Sequence, residues 1–371
     1  FHPTGMVSPP SVRGLLVTEG VRGDGGILLN NEGERFMFNY IPEKFASETA
    51  DTEEEGERWL KGDKEARRPP ELLTRDVVAR AIKKEVEAGR GSPNGGAFLD
   101  IASRRSADFI KRKLPSMYHQ FKELAEIDIT DKPMEVGPTL HYFMGGVHVN
   151  SDTQQTAVPG LFACGECSGG MHGANRLGGN SLSDLLVFGK LAGDGAVNYI
   201  NNLSKEFICK NKDIARIIKN ATDVLNRDEG NNPYLVHEEL QDIMQNNVGI
   251  VRTGEELDAG LEKLNKIKTD IESVCAHASA QYNPGWNEAL DLKNIIITAE
   301  AVTRSAILRE ESRGAHTRLD FEGERKEGLE YNIIIQKTDQ GMVAKKITRT
   351  RPSEELANIA NASLEELENI E

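Results

Sequence analysis

The segment His172-Gly173-Ala174-Asn175-Arg176-Leu177-Gly178-Gly179-Asn180-Ser181-Leu182 sets one arginine among small residues, directly ahead of a predicted helix start. Small residues let backbone approach a ligand closely. The first amides of a helix offer free N–H groups. A guanidinium can grip a carboxylate through two parallel hydrogen bonds. The chemistry expected of Arg176 is therefore capture of an anion. By itself the segment also reads as ordinary turn chemistry before a helix, so other residues must decide.

Four further segments bear on the choice: Phe1-His2-Pro3-Thr4-Gly5, Thr18-Glu19-Gly20-Val21-Arg22-Gly23-Asp24-Gly25-Gly26, Arg75-Asp76-Val77-Val78-Ala79-Arg80 and His141-Tyr142-Phe143-Met144-Gly145-Gly146. Locally each has a plain reading. Arg75 opens a predicted helix, where the macrodipole disfavours a cation by roughly 0.3–1 kcal/mol, and Asp76 offsets this. His141, ahead of an aromatic residue, fits a satisfied core histidine, and His2 is unremarkable alone.

Taken in order, these motifs resemble the flavoprotein subunit of succinate dehydrogenases and fumarate reductases, from Phe1 to about Asp320. The resemblance implies a four-carbon dicarboxylate substrate, with Arg176 and His141 holding one carboxylate and His2 and Thr18 contacting the other. It implies that Arg75 is the proton shuttle and that Glu19 and Arg22 form its relay, since an arginine at its ordinary pKa is a poor acid. Hydride would pass between substrate carbon and N5 of FAD, with the protein supplying alignment. Glu166, in Cys164-Gly165-Glu166-Cys167, and the pair Ser181-Leu182 match flavin contacts of the family. An acidic side chain after a strand can bond a ribose or ribityl hydroxyl, and helix N-terminal amides suit the negative charge of a reduced flavin. Ser181 also reads simply as an N-cap. His172 is expected to sit behind the site, while His119, His148, His237 and His277 have no motif context. Arg313-Gly314-Ala315-His316, with Arg318 and Asp320, is expected to support the capping domain and interdomain contacts.

L-aspartate oxidase shares the His-Pro-Thr, Thr-Glu and Arg-Asp-Val-Val motifs. Arg176-Leu177-Gly178-Gly179-Asn180-Ser181, Glu135-Val136-Gly137-Pro138-Thr139 and Ser168-Gly169-Gly170-Met171-His172 favour the dehydrogenase form. The family implies an iron–sulfur partner subunit, quinone, and membrane anchor subunits, and hence a cytoplasmic location, peripheral on the inner face of the cell membrane. No G-x-G-x-x-G follows a strand and opens a βαβ unit, an element the family carries upstream. The chain is thus expected to be a carboxy-terminal portion that binds flavin poorly alone. A contrasting expectation is an inactive piece with only packing and interface roles.

Composition sets outer bounds. The chain has 371 residues, room for two or three domains, and a formal net charge of −14, which argues against nucleic-acid binding. A local cluster of cations can still hold an anionic substrate. No apolar run reaches the ~18 residues of a spanning helix. Cys164 and Cys167 form a C-x-x-C without a second pair at zinc spacing, which reads as reduced thiols in a packed turn of a reducing compartment.

The elements that must position these residues give an α+β multidomain fold: a capping domain over 1–140, the returning part of an FAD-binding α/β domain over 141–200, and a helical carboxy-terminal domain with a short hairpin over 201–371. Gly14–Thr18, Ile27–Leu29 and Arg35–Phe38 read as strands, as do Gly146–Val149 and Leu161–Cys164. Thr74 is placed to cap a helix through Val86 that stops at Gly89. A helix from Ser181 to about Tyr199 carries apolar faces, with Gly189, Gly193 and Gly195 for close packing. Thr253-Gly254-Glu255-Glu256 has capping-box spacing, Leu257, Leu261, Leu264 and Ile267 recur at helical spacing, and a long helix covers about Asn287–Glu311. Residues 331–349 predict a hairpin turning at Asp339-Gln340-Gly341, followed by an acidic, weakly held helix.

Overall fold

The structure, a computed structural model, describes residues 1–204 and 209–362, so the end of the acidic tail lies outside the described residues. The chain divides into two compact units, Phe1–Glu206 and Phe207–Glu371. The regions 1–140 and 141–200 both lie in the first.

In the first unit, strands β1 (His2–Met6), β2 (Ile27–Leu29), β3 (Ala97–Asp100) and β4 (Met134–Thr139) form an antiparallel sheet in the order β1-β4-β3-β2. The short helix α1 (Gly20–Gly23) follows β1, and α2 (Glu53–Leu60) follows β2 in the chain. Helix α3 (Arg75–Glu87) packs on β1 and β4 through Val77, Val78, Ala81 and Ile82, all buried. It ends before Gly89, whose φ of +76° is the left-handed stop a glycine accepts cheaply. Thr74 occupies the N-cap position but its side chain makes no cap hydrogen bond. Helices α4 (Ala107–Lys113) and α5 (Pro115–Ala125) close this core with Ile110, Met117 and Phe121.

Several expected strands take other forms. Arg35–Phe38 enters a 3₁₀ turn at Phe36–Tyr40 because Phe36 and Met37 are consecutive and both buried, whereas a half-buried strand would alternate. Gly14–Thr18 makes one bridge, Gly5 to Leu16, and buries only Val17. Gly146–Val149 and Leu161–Cys164 are likewise reduced to isolated bridges at Val147, Val149 and Phe162.

Helix α6 (Asn180–Asn201) starts from Gly179 as N-cap, so Ser181 lies inside the first turn and is not the cap. Of its three glycines, only Gly195 meets a neighbour closely: a side-chain carbon there would collide with the Thr153 carbonyl oxygen, while Gly189 and Gly193 have open space.

The second unit contains α7 (Asn211–Thr222), α8 (Pro233–Asn247), α9 (Gly254–Glu272) and α10 (Pro284–Leu308). Helices α8, α9 and α10 pack on one another around Leu240, Ile243, Leu264, Ile267, Leu292 and Ile296. The Thr253–Glu256 capping box is complete, with Glu256 N donating to Thr253 Oγ1 at 3.2 Å and Thr253 N to Glu256 Oε2 at 2.7 Å. Such a cap is worth about 1 kcal/mol. Leu261 is only half-buried on the stripe. The hairpin of β5 (Tyr331–Thr338) and β6 (Gly341–Thr348) turns at Asp339-Gln340, and α11 (Glu354–Asn361) is the last described helix.

Arg318 forks onto Asp320 at 2.8 and 2.7 Å and donates to the Ala306 carbonyl at 2.9 Å, while Asp320 accepts from Gly254 N at 2.8 Å. Arg313 pairs with Glu311 and Glu324, and His316 bonds the Arg309 carbonyl. These bonds tie the end of α10 to the start of α9, inside the second unit.

Candidate active site

The pairing His2↔Thr139 aligns the start of β1 with the end of β4. His141 follows two residues later, and the His2 and His141 rings stand edge to face with centroids 5.5 Å apart. A second tie runs from β1 to the Thr18–Glu19 segment: Thr4 Oγ1 donates to the Val17 carbonyl at 2.9 Å, and Val17 N donates to the Thr4 carbonyl at 2.9 Å. Thr18 is exposed and its hydroxyl accepts from Gly20 N.

Arg75 opens α3 above the same sheet. Its Nε and Nη2 both reach Glu19 Oε2, at 2.9 and 2.8 Å. Arg22 Nη2 lies 4.0 Å from the same carboxylate oxygen. Glu19 thus stands between two guanidiniums. Arg22 is 1% exposed, donates through Nη1 to the Glu71 carbonyl, and leaves Nε and Nη2 without hydrogen-bond partners among the described residues. Burial lowers its pKa to about 10, with Glu19 opposing and Arg75 adding.

The Arg176 turn comes beside Arg75. A side-chain carbon at Gly178 would sit 4.0 Å from Arg75 Nη2, and Asn175 Nδ2 donates to Asp76 Oδ1 at 3.4 Å. Arg176 is half-buried with its guanidinium 4.3 Å from the centroid of the Tyr142 ring. It donates to its neighbour's carbonyl, Leu177 O, at 2.9 Å, and its buried Nε lacks a partner among the described residues. His141 is exposed and not part of the core. Burial, Arg75 and Arg176 all lower its pKa. Glu166 Oε1 accepts from Phe143 N at 3.0 Å, next to the His141 turn, whereas Leu182 is 68% exposed. Cys164 and Cys167 are free thiols.

His2 is buried, and its Nδ1 bonds the Thr4 carbonyl at 3.0 Å. Burial first, then Arg22 and Arg75, push its pKa down to about 3. The ring is neutral near pH 7 and offers hydrogen bonds, not charge. The unfolded chain, with its histidine near ~6.5, binds the proton better. Stability from this group is therefore full above about pH 6.5 and falls as pH drops toward the folded value, by up to ~1.4 kcal/mol per pH unit. Denaturant unfolding of the full-length protein between about pH 6.5 and 4 is expected to show a shallower acid slope for His2→Gln. An unchanged slope would mean that the ring is not held neutral.

The motifs assigned no role to Tyr142 and Asp184, which the structure places beside Arg176 and His172. The signal for Asp184 was an acid amid Leu182, Leu185, Leu186 and Val187; in the structure it is 4% exposed and bonds His172 and Tyr142.

Residues 1–182 match the family described as FAD binding domain, and residues 237–357 match Fumarate reductase flavoprotein C-term. The chain is 40% identical over 345 residues to a fumarate reductase (CoM/CoB) polypeptide of Methanothermobacter marburgensis, covering 93% of this chain and 57% of that protein. It is 33% identical over 338 residues to the 8-methylmenaquinol:fumarate reductase flavoprotein subunit of Wolinella succinogenes, covering 86% of this chain and 49% of that one. Among solved structures, Mycobacterium smegmatis Sdh1 in complex with UQ1 superposes with a TM-score of 0.77 at 45% identity, covering 99% of this chain and 57% of that chain. The chain spans about half the length of the curated relatives it matches.

Proposed function

Because this chain belongs to the family of succinate dehydrogenase and fumarate reductase flavoprotein subunits, we propose that its site interconverts succinate and fumarate with FAD as cofactor. The observation that carries the reading is the convergence of Arg75, Glu19 and Arg22 with the His2–His141 pair and the Arg176 turn, from segments far apart in sequence. Two cationic or imidazole clamps suit a substrate charged at both ends. Arg176 and His141 hold one carboxylate, and His2 and Thr18 bond the other.

The residues fit the cofactor. The turn into α6 is open, since a side-chain carbon at Gly170, Gly173 or Gly179 would meet nothing within 4 Å. Leu177 and Leu182 are exposed beside it, with the Glu166 carboxylate as hydrogen-bond acceptor. An apolar face next to a helix N-terminus suits a heterocycle that is apolar across its rings and polar along one edge. Glu166, Ser181 and Leu182 are the residues we assign to it. Bound FAD supplies a two-electron acceptor for the hydride taken from substrate carbon. The protein's own part is to fix the central C–C bond between the clamps, to stabilise charge with the guanidiniums, and to move a proton. In fumarate reduction Arg75 gives that proton at the neighbouring carbon and regains one from Arg22 through Glu19; succinate oxidation runs the same transfers in reverse.

The domain roles follow the same reading: residues 1–140 cap the flavin, 141–200 return to the flavin-binding domain, and 201–371 form the helical domain. Electrons leave for an iron–sulfur subunit, then for quinone, with membrane anchor subunits holding the complex at the inner face of the cell membrane. No described helix of this chain is long and apolar enough to cross a membrane.

The test is the visible spectrum of the full-length protein. Its flavin band should bleach on adding succinate and recover with fumarate. A bound flavin indifferent to both dicarboxylates, or one bleached by L-aspartate alone, would overturn the assignment.

A further inference from the structure

We infer that Tyr142, His172 and Asp184 form a positioning cluster that sets the Arg176 guanidinium beside His141, and so fixes one of the two carboxylate clamps. The inference deepens the dicarboxylate reading and rests on it.

Among the described residues, Arg176 has no acidic hydrogen-bond partner. It is held by the Tyr142 ring, 4.3 Å from guanidinium carbon to centroid, and by one bond to the Leu177 carbonyl. This choice of support has a consequence. A carboxylate would occupy the guanidinium fork and neutralise it. An aromatic face attracts the cation while leaving its in-plane N–H donors available. The buried Nε, without a partner among the described residues, is one such donor.

Tyr142 is itself pinned. Its hydroxyl donates to Asp184 Oδ2 at 3.3 Å and lies 3.1 Å from His172 Nε2. The His172 ring stands edge to face against it with centroids 5.5 Å apart, and His172 Nε2 lies 3.3 Å from Asp184 Oδ2. Asp184 is 4% exposed on the second turn of α6. Burial, then Asp184, pushes the phenol pKa up, so the hydroxyl stays a donor. Asp184 thus anchors Tyr142 to the most regular element nearby. Tyr142 is also joined by a peptide bond to His141, the other half of the clamp.

The experiment uses the full-length flavoprotein and reads malonate binding by calorimetry beside steady-state succinate kinetics. Tyr142→Phe keeps the ring and loses the hydroxyl; a rise in malonate Kd of about threefold is expected. Tyr142→Leu removes the ring as well, and Kd and KM should rise about tenfold or more, with kcat at saturating succinate changed much less. Should Tyr142→Leu fail to fold, Asp184→Asn tests the same link and should raise KM in the same sense. Arg176→Ala serves as reference. If Arg176→Ala weakens malonate binding while Tyr142→Leu binds as wild type, the positioning role is wrong and the dicarboxylate reading stands. A fall in kcat with unchanged KM in the Tyr142 variants would also overturn it. If Arg176→Ala binds malonate normally, the dicarboxylate reading itself fails.

Discussion

Arg75→Ala in the full-length protein should reduce turnover by roughly 10³-fold or more while leaving flavin bound. Proton transfer by a positioned group contributes on the order of 10²–10⁴, and the proposed role adds charge stabilisation at the substrate. The flavin-contacting residues we assign, Glu166, Ser181 and Leu182, are separate from Arg75, so the ratio of flavin to protein absorbance should not move. The proposed relay needs a proton partner beside the arginine, and Glu19 is in that place. Both Nε and Nη2 bond one Glu19 oxygen, and the buried Arg22 stands 4.0 Å beyond it. Steady-state kcat and the flavin spectrum, measured on the same preparation, check the expectation. Wild-type turnover in the variant would remove Arg75 from the proton path.

The candidate site was legible in the sequence where chemistry and backbone need coincide in a few adjacent residues. Thr-Glu-Gly-Val-Arg at 18–22 and the run from His172 to Leu182 are of that kind, and the structure brings Glu19, Arg22, Arg75, His2, His141 and the Arg176 turn together. What escaped was the sheet that aligns them. β1 reads His-Pro-Thr-Gly-Met, all buried, with a proline, a glycine and no period-two alternation. β4 likewise contains Gly137 and Pro138. Strands of this sort are recognised by their pairing, which is non-local. The same holds for Tyr142 and Asp184, 42 residues apart and joined by one hydrogen bond. Local signals fared better in the second unit, where the Thr253 capping box and the Asp339-Gln340-Gly341 turn follow from sequence neighbours alone. The α6 glycines show the limit of such signals, because whether a glycine serves close packing depends on what lies opposite.

Arg176→Ala should weaken dicarboxylate binding by about 100-fold or more, the loss expected when one member of a charge-assisted pair is truncated. The reasoning turns on what the variant leaves behind. His141 remains, but its pKa is lowered, by burial first and by Arg75 next, so it offers a neutral hydrogen bond and little charge. His2 is neutral as well, with its pKa pushed to about 3. Arg22 is buried and Arg75 is tied to Glu19. Arg176 is thus the permanent cation best placed to take a carboxylate outright, and none of these four side chains can replace its fork. Arg176→Lys should recover only part of the loss, since an ammonium keeps the charge but not the bidentate geometry. Malonate inhibition of succinate oxidation measures this directly. The inhibition constant should rise steeply in Arg176→Ala and less in Arg176→Lys, and equal inhibition in wild type and both variants would show that the substrate carboxylate is held elsewhere.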